Sequence, residues 1–275
     1  MDYLLIGPVT ADRVHGERLL GGTVSYAAPV VSRIGHTVRI VTSIAQNEPL
    51  IAPILPYCEL HNVPSPYTTT FENRYIDGYR QQILHHVGHT VTANDLPTGW
   101  QNAKLVHLAP LANDVDRAIV DAFTDATIML TPQGYMRQWD EAGNVTFKQF
   151  NDPMLLSKID ILVLSRDDIA QAPELEKQYS EQVRHLVVTD GLNGGYYYHN
   201  GTVHHYRAYP AEETDPTGAG DVFAASLLAS LPLLKNDMHK ALTVASQLAA
   251  CAVTVKGVMT DPPIDIPTLI REAQQ

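Results

Sequence analysis

Cysteine is scarce: the 275 residues contain two, Cys58 and Cys251, in no metal-like or framework spacing. Basic residues are also few, 19 Lys and Arg against 30 Asp and Glu, which leaves a net charge of −11. A surface that tracks nucleic-acid phosphates needs clustered Lys and Arg, so no nucleic-acid partner is expected. Long apolar runs are missing too. The longest, Ala241 to Val255, is interrupted by Thr243, Ser246, Gln247 and Thr254, so no membrane span is expected. Met1 to Pro8 lack a basic n-region and a long apolar core, which predicts no secretory signal and a cytoplasmic chain with reduced thiols. No Gly-x-Gly-x-x-Gly string occurs. The run from Gly16 to Thr23 approaches a P-loop but carries Gly22 where that loop needs lysine. His85-His86-Val87-Gly88-His89 and His204-His205 lack matching carboxylates or cysteines and are not read as metal sites.

Short β-rich runs are present at Tyr3–Val9, Thr37–Ile44, Leu105–Leu111, Thr127–Leu130, Ile161–Leu164 and Leu186–Thr189. Most are apolar throughout, as strands covered on both faces must be. Between them Val24–Ile34, Asn113–Thr124 and Pro173–Arg184 have helical character, and the alternation predicts βαβ units and a doubly wound, mainly parallel sheet. Residues 10–20 and 68–89 mix β-branched, aromatic and polar types and predict a small β-lid with one exposed face. That face is a candidate homodimer surface. Gly195 to Tyr209 predicts a hairpin around Asn200-Gly201. No linker or repeat divides the chain, so residues 1–275 are read as a single domain.

The most informative string is Asp215-Pro216-Thr217-Gly218-Ala219-Gly220-Asp221-Val222-Phe223, followed by good helix formers. Small residues before a helix allow a tight turn that presents backbone N–H groups at the positive end of the helix dipole, an anion site suited to a phosphoryl group. A carboxylate there could accept a proton from an attacking alcohol. A glycine turn capped by an aspartate, common at helix starts, is the simpler explanation of Gly218–Asp221 taken alone.

The full string resembles the C-terminal motif of the ribokinase (PfkB) family, usually Asp-Thr-x-Gly-Ala-Gly-Asp-x-Phe, although Pro216 stands before Thr217 here. Gly21-Gly22-Thr23-Val24-Ser25-Tyr26, ending in Arg33-Ile34-Gly35, is similar to the family's first motif, with Tyr26 where sugar kinases carry asparagine. The resemblance implies a ribokinase-like three-layer α/β/α sandwich and transfer of the γ-phosphate of ATP to a small sugar or polyol, with Mg²⁺. Whether a monovalent cation is needed stays open. It implies Asp221 as the base, Gly218, Ala219 and Gly220 as the anion hole, and Asp12, Gly21, Gly22 and Tyr26 at the acceptor.

Val187 to Gly195 resembles the family's strand and turn beside ATP, which would bring Thr189, Gly191 and Gly194 to the nucleotide. Ser165-Arg166-Asp167-Asp168 falls at an Asn-x-x-Glu motif, which would put Ser165 by the donor and let Asp168 meet Mg²⁺ through water. Thr131-Pro132-Gln133-Gly134-Tyr135-Met136-Arg137 is similar to a run in an inositol-kinase subgroup, with Thr131 replacing an aspartate. Gln133 would then serve a polyol and Arg137 a phosphate. Two alternatives stay open: an inositol or nucleoside kinase whose acceptor ring stacks on Tyr26, and a catalytically silent ligand-binding member of the fold.

Overall fold

A computed structural model describes residues 1–76 and 79–275. The first half supplies strands β1 (Asp2–Ile6), β2 (Thr10–Val14), β3 (Glu17–Gly21), β4 (Thr37–Thr42), β5 (Glu59–Asn62), β6 (Thr69–Ile76), β7 (Tyr79–His86), β8 (Leu105–Leu108) and β9 (Thr127–Leu130). The second half adds β10 (Arg137–Trp139), β11 (Val145–Phe147), β12 (Ile161–Ser165), β13 (His185–Thr189), β14 (Gly195–His199) and β15 (Thr202–Tyr206). The helices are α1 (Thr23–Ile34), α2 (Pro153–Leu156), α3 (Glu174–Gln182), α4 (Ala219–Ser230), α5 (Met238–Ala252) and α6 (Ile266–Gln274).

Nine strands form the central sheet in the order β15-β14-β13-β12-β9-β8-β1-β4-β5. From β13 to β5 they are parallel, and β14 and β15 add an antiparallel edge. Both faces are covered, so the strands alternate between two apolar layers. Tyr3 and Leu5 of β1 pack with α1, α4 and α5, whereas Leu4 and Ile6 pack with Trp100, Ile119, Phe150 and α3. Strand order reverses at β1, whose neighbours β4 and β8 leave in opposite directions. The C-terminal ends of β1 and β8 therefore flank a crevice of the kind in which open α/β sheets hold ligands.

A four-stranded sheet, β3-β2-β6-β7, projects from that end of the central sheet. Phe71 and Leu84 on its inner face pack on Leu111 and Ala112, in the loop after β8. The link between β6 and β7 in the expected lid, residues 77–78, lies outside the described residues. Glu48 ties this sheet down: its buried carboxylate accepts from Thr68 Oγ1 at 2.6 Å and pairs with Arg18 of β3 at 2.6 Å.

One expected helix is absent. Asn113–Thr124 holds only a six-residue 3₁₀ segment, Arg117–Ala122. Asn113 takes a left-handed φ of 51°, and the side chains of Asp114 and Asp116 accept from nearby backbone N–H groups. These local bonds compete with a regular helix. His85, set aside as a metal ligand, pairs with Glu72 at 2.7 Å. Among the described residues, no helix is long and apolar enough to cross a membrane.

Candidate functional site

Two turns meet above the crevice. Gly22, with φ 91°, turns the chain from β3 into α1, and a side chain there would strike the Pro8 carbonyl at 2.3 Å. Gly218, with φ 84°, caps α4. The next residue of the first turn, Thr23, donates its hydroxyl to Asp221 Oδ1 at 2.7 Å, bridging 198 positions of sequence. Asp221 keeps some solvent contact at its surface, yet protein surrounds it closely enough for burial to dominate its titration. Burial pushes its carboxyl up to about 6. The Thr23 bond opposes that, Asp168 adds to it, Arg137 opposes it and Asp12 adds to it.

Asp12, Gly21 and Gly22 come together at this point. Thr10 Oγ1 donates to Asp12 Oδ1 at 2.9 Å, and a side chain on Gly21 would meet Asp12 Oδ2 at 2.4 Å. Arg137 donates to the Leu111 carbonyl at 3.1 Å and lies over the Phe71 ring of the projecting sheet, and its charge acts on Asp221. Asp114 stands near it, buried, accepting from the N–H groups of Leu111 and Ala112. Burial raises its carboxyl despite those bonds and the Arg137 charge.

Asp168 is held from two sides. Ser165 N and Oγ donate to Oδ2, both at 2.8 Å, and Gln133 Nε2 donates to Oδ1 at 3.1 Å. The Ser165 hydroxyl accepts from Asp168 N in return. Ser165 thus fixes Asp168 rather than reaching outward. Thr189 pairs with Ser165 across β12 and β13, and the turn that follows carries Gly191 and Gly194. Gly194 is a glycine for packing, since a side chain would meet the Tyr206 carbonyl at 2.0 Å, whereas nothing lies within 4 Å of a side chain at Gly191.

Tyr26 differs from expectation. It is only 5% exposed, and its ring lies against Gly218, so the surface proposed to stack on an acceptor ring is already covered. Burial, with Asp12, Asp221 and Asp215 nearby, raises its phenol, which stays protonated. The first turn of α4 is open by contrast: a side chain at Gly220 would touch nothing within 4 Å. Of the predicted anion-hole residues, Ala219 N makes a long 3.3 Å contact with the Pro216 carbonyl. Asp215 fastens this loop by accepting from Thr217 N at 3.0 Å and Gly257 N at 3.3 Å.

Sequence reasoning passed over Thr23, although it stands inside the Gly21-Gly22 motif. It also passed over Thr10 and Asp114, whose roles depend on partners that only the fold supplies.

Residues 93–265 match the profile of the pfkB family carbohydrate kinases. A fructokinase from Escherichia coli is 28% identical over 192 residues, covering 62% of this chain and 61% of that protein, so the match spans less than two thirds of the relative. Among solved structures, a pyrophosphate-dependent kinase of the ribokinase family, complexed with a pyrophosphate analog and myo-inositol, superposes with a TM-score of 0.80. It is 19% identical, over 94% of this chain and 97% of that one. Arabidopsis thaliana ribokinase complexed with ribose and ATP gives 0.71 at 18% identity, over 98% of both chains. The three-layer architecture is therefore the ribokinase fold.

Proposed function

The chain belongs to the pfkB family of carbohydrate kinases, and from that membership we propose that it moves the γ-phosphate of ATP to a hydroxyl of a small sugar or polyol, acting as a single cytoplasmic kinase unit. The observation that carries this is the carboxylate of Asp221, held by Thr23 beside the open N-terminal turn of α4. The acceptor hydroxyl gives its proton to Asp221 as its oxygen forms a bond to the γ-phosphorus. The bond to the β–γ bridging oxygen breaks and ADP leaves with that electron pair. The N–H groups of Gly218–Gly220, at the positive end of the α4 dipole, meet the charge on the transferring oxygens. Asp12 and Arg137 border the acceptor side.

Mg²⁺ fits this site as an ion held by donor phosphates and water. The described residues contain no group of three or more His, Cys, Asp or Glu able to hold a metal by themselves. Asp168 keeps lone pairs beyond its three bonds to Ser165 and Gln133, so it would contact a bound water of the ion. When bound, the ion supplies neutralisation of phosphate charge.

The donor is supported separately. A cavity of about 470 Å³ is lined by Tyr209, Pro210, Ala211, Gln247, Ala250 and Cys251, among others. It adjoins the loop that feeds the anion turn, because Thr214 N and Asp215 N both donate to Val253 O at the end of α5. Its mostly apolar walls suit a purine. The buried Gln247 Oε1, without a partner among the described residues, would accept from an exocyclic amine.

Because one solved relative uses pyrophosphate, the test is phosphate transfer from ATP and from pyrophosphate to a panel of sugars, polyols and nucleosides. Transfer from ATP to one acceptor class is expected. Ala250→Phe, which fills the cavity, should raise the KM for ATP by about tenfold or more, the equivalent of losing the burial of about two methylene groups. Preference for pyrophosphate, or indifference of ATP use to Ala250→Phe, would overturn the donor assignment. No transfer from either donor would overturn the kinase reading.

The pH dependence follows from Asp221. A base must be ionised, and this carboxyl is pushed up to about 6, so kcat/KM should climb as pH rises through about 6 and then level off. The Thr23 hydroxyl favours the ionised form. Thr23→Val should therefore shift the rising limb to higher pH, and Thr23→Ser should restore it. A limb that stays in place in Thr23→Val would assign it to another group.

A further inference from the structure

His107 is the single polar residue of β8 and is fully buried. It joins three adjacent strands. Its Nδ1 lies 3.3 Å from the hydroxyl of Tyr3 on β1, and its Nε2 lies 3.1 Å from Oγ1 of Thr131, the residue after β9. Thr131 is partly exposed at the C-terminal edge of the sheet. It stands two residues before Gln133, the partner of Asp168.

The direction of each bond in this chain can be worked out. Burial lowers His107 to about 3, so the ring is neutral, with one N–H and one lone pair. Burial raises Tyr3, which keeps its proton. A buried phenol proton left without an acceptor is costly, and His107 Nδ1 is the only hydrogen-bond partner of the Tyr3 hydroxyl among the described residues. Tyr3 therefore donates to Nδ1, and the ring proton sits on Nε2. Nε2 then donates to Thr131 Oγ1. The hydroxyl hydrogen of Thr131 is left without a protein partner among the described residues, on the partly exposed side of the sheet edge.

We propose that Thr131 is a specificity-determining residue that donates a hydrogen bond to one hydroxyl oxygen of the polyhydroxy acceptor, with His107 and Tyr3 as positioning residues that fix its polarity. This rests on the kinase reading and deepens it. It makes the acceptor site directional, because one hydroxyl position must accept from Thr131.

The test compares the parent with Thr131→Val and Thr131→Ser, using ATP as donor and fructose, myo-inositol and ribose as acceptors. Kinetics and calorimetric binding are both read. Thr131→Val should raise the KM and Kd of the acceptor about tenfold, the fold-change of one hydrogen bond, with kcat and the KM for ATP unchanged. Thr131→Ser should stay close to the parent. Of the singly deoxygenated forms of that acceptor, one should bind the parent about tenfold more weakly, yet cost Thr131→Val nothing further. His107→Leu should reproduce part of the KM rise and add nothing to Thr131→Val. Because His107 is buried and its variants can unfold, the Thr131 pair decides the matter.

A parent that uses an acceptor while Thr131→Val is indifferent, or equally sensitive to every deoxygenated form, overturns this inference alone. A parent that neither binds nor phosphorylates any of the three overturns this inference, and the kinase reading falls with it when the wider panel also shows no transfer from either donor.

Discussion

Asp221→Asn should lose phosphoryl transfer by about 10²- to 10⁴-fold in kcat, the usual contribution of a positioned base. The substitution is close to isosteric, and the new amide oxygen can still accept from Thr23, so the turn between α1 and α4 should stay in place. Donor and acceptor affinities should change little, because the role proposed for Asp221 is proton acceptance in the transition state. Stability should move the other way. The raised carboxyl means that the fold disfavours its ionised form. That cost is absent below the ordinary value of 3.8, grows between 3.8 and about 6, and is constant above. Asparagine carries no such cost. The variant should therefore gain on the parent in denaturant unfolding at about pH 8 relative to about pH 4. Loss of activity with this pH-dependent gain identifies a group kept for chemistry. Turnover equal to the parent would remove Asp221 from the mechanism.

The architecture was legible because both faces of the sheet are buried. Runs such as Ile161–Leu164 and Leu186–Thr189 have the length and β-branched content expected of covered strands, and their alternation with helices limits the topology. Of the two strings behind the family resemblance, the one around Gly218 lies within the profile match over residues 93–265 and the one around Gly21 lies before it. Other features depend on contacts that sequence neighbours do not announce. Thr23 is ordinary until the fold places it 2.7 Å from a carboxylate 198 positions away. Ser165 and Asp168 look like an eroded motif but form a reciprocal pair, with the serine hydroxyl both donating and accepting. Tyr26 looked like a platform for a ring, and only the turn packed against it shows that its surface is taken. His107 reads as an oddity in an apolar strand until Tyr3 and Thr131 are seen on the strands beside it. Periodicity reports burial, and burial alone does not say which polar groups will meet.

Gly218→Ala should damage the site severely for so small a change, costing on the order of 2–5 kcal/mol of stability. Two separate causes contribute. The φ of 84° lies in the left-handed region, where an L residue costs roughly 1–2 kcal/mol. A methyl group there would also lie 2.1 Å from Cδ1, 2.4 Å from Cε1 and 2.5 Å from Cγ of Tyr26, far inside contact distance. Tyr26 cannot swing away cheaply because it is buried on α1 amid the layer shared with α4. Overpacking of this kind typically adds about 1–3 kcal/mol. The two causes separate in a cycle with Tyr26→Ala, which removes the ring. In that background Gly218→Ala should cost only the backbone part, about 1–2 kcal/mol, and the coupling between the sites should be clear in denaturant unfolding. The damage also has a functional side. The turn aims the first N–H groups of α4, and displacement of about an ångström can lower kcat by up to about 10²-fold even in protein that remains folded. Equal costs in the two backgrounds would mean that Tyr26 does not press on the turn. Parent-like stability and kcat in Gly218→Ala would mean that neither the left-handed turn nor its contact with Tyr26 shapes the proposed phosphate site.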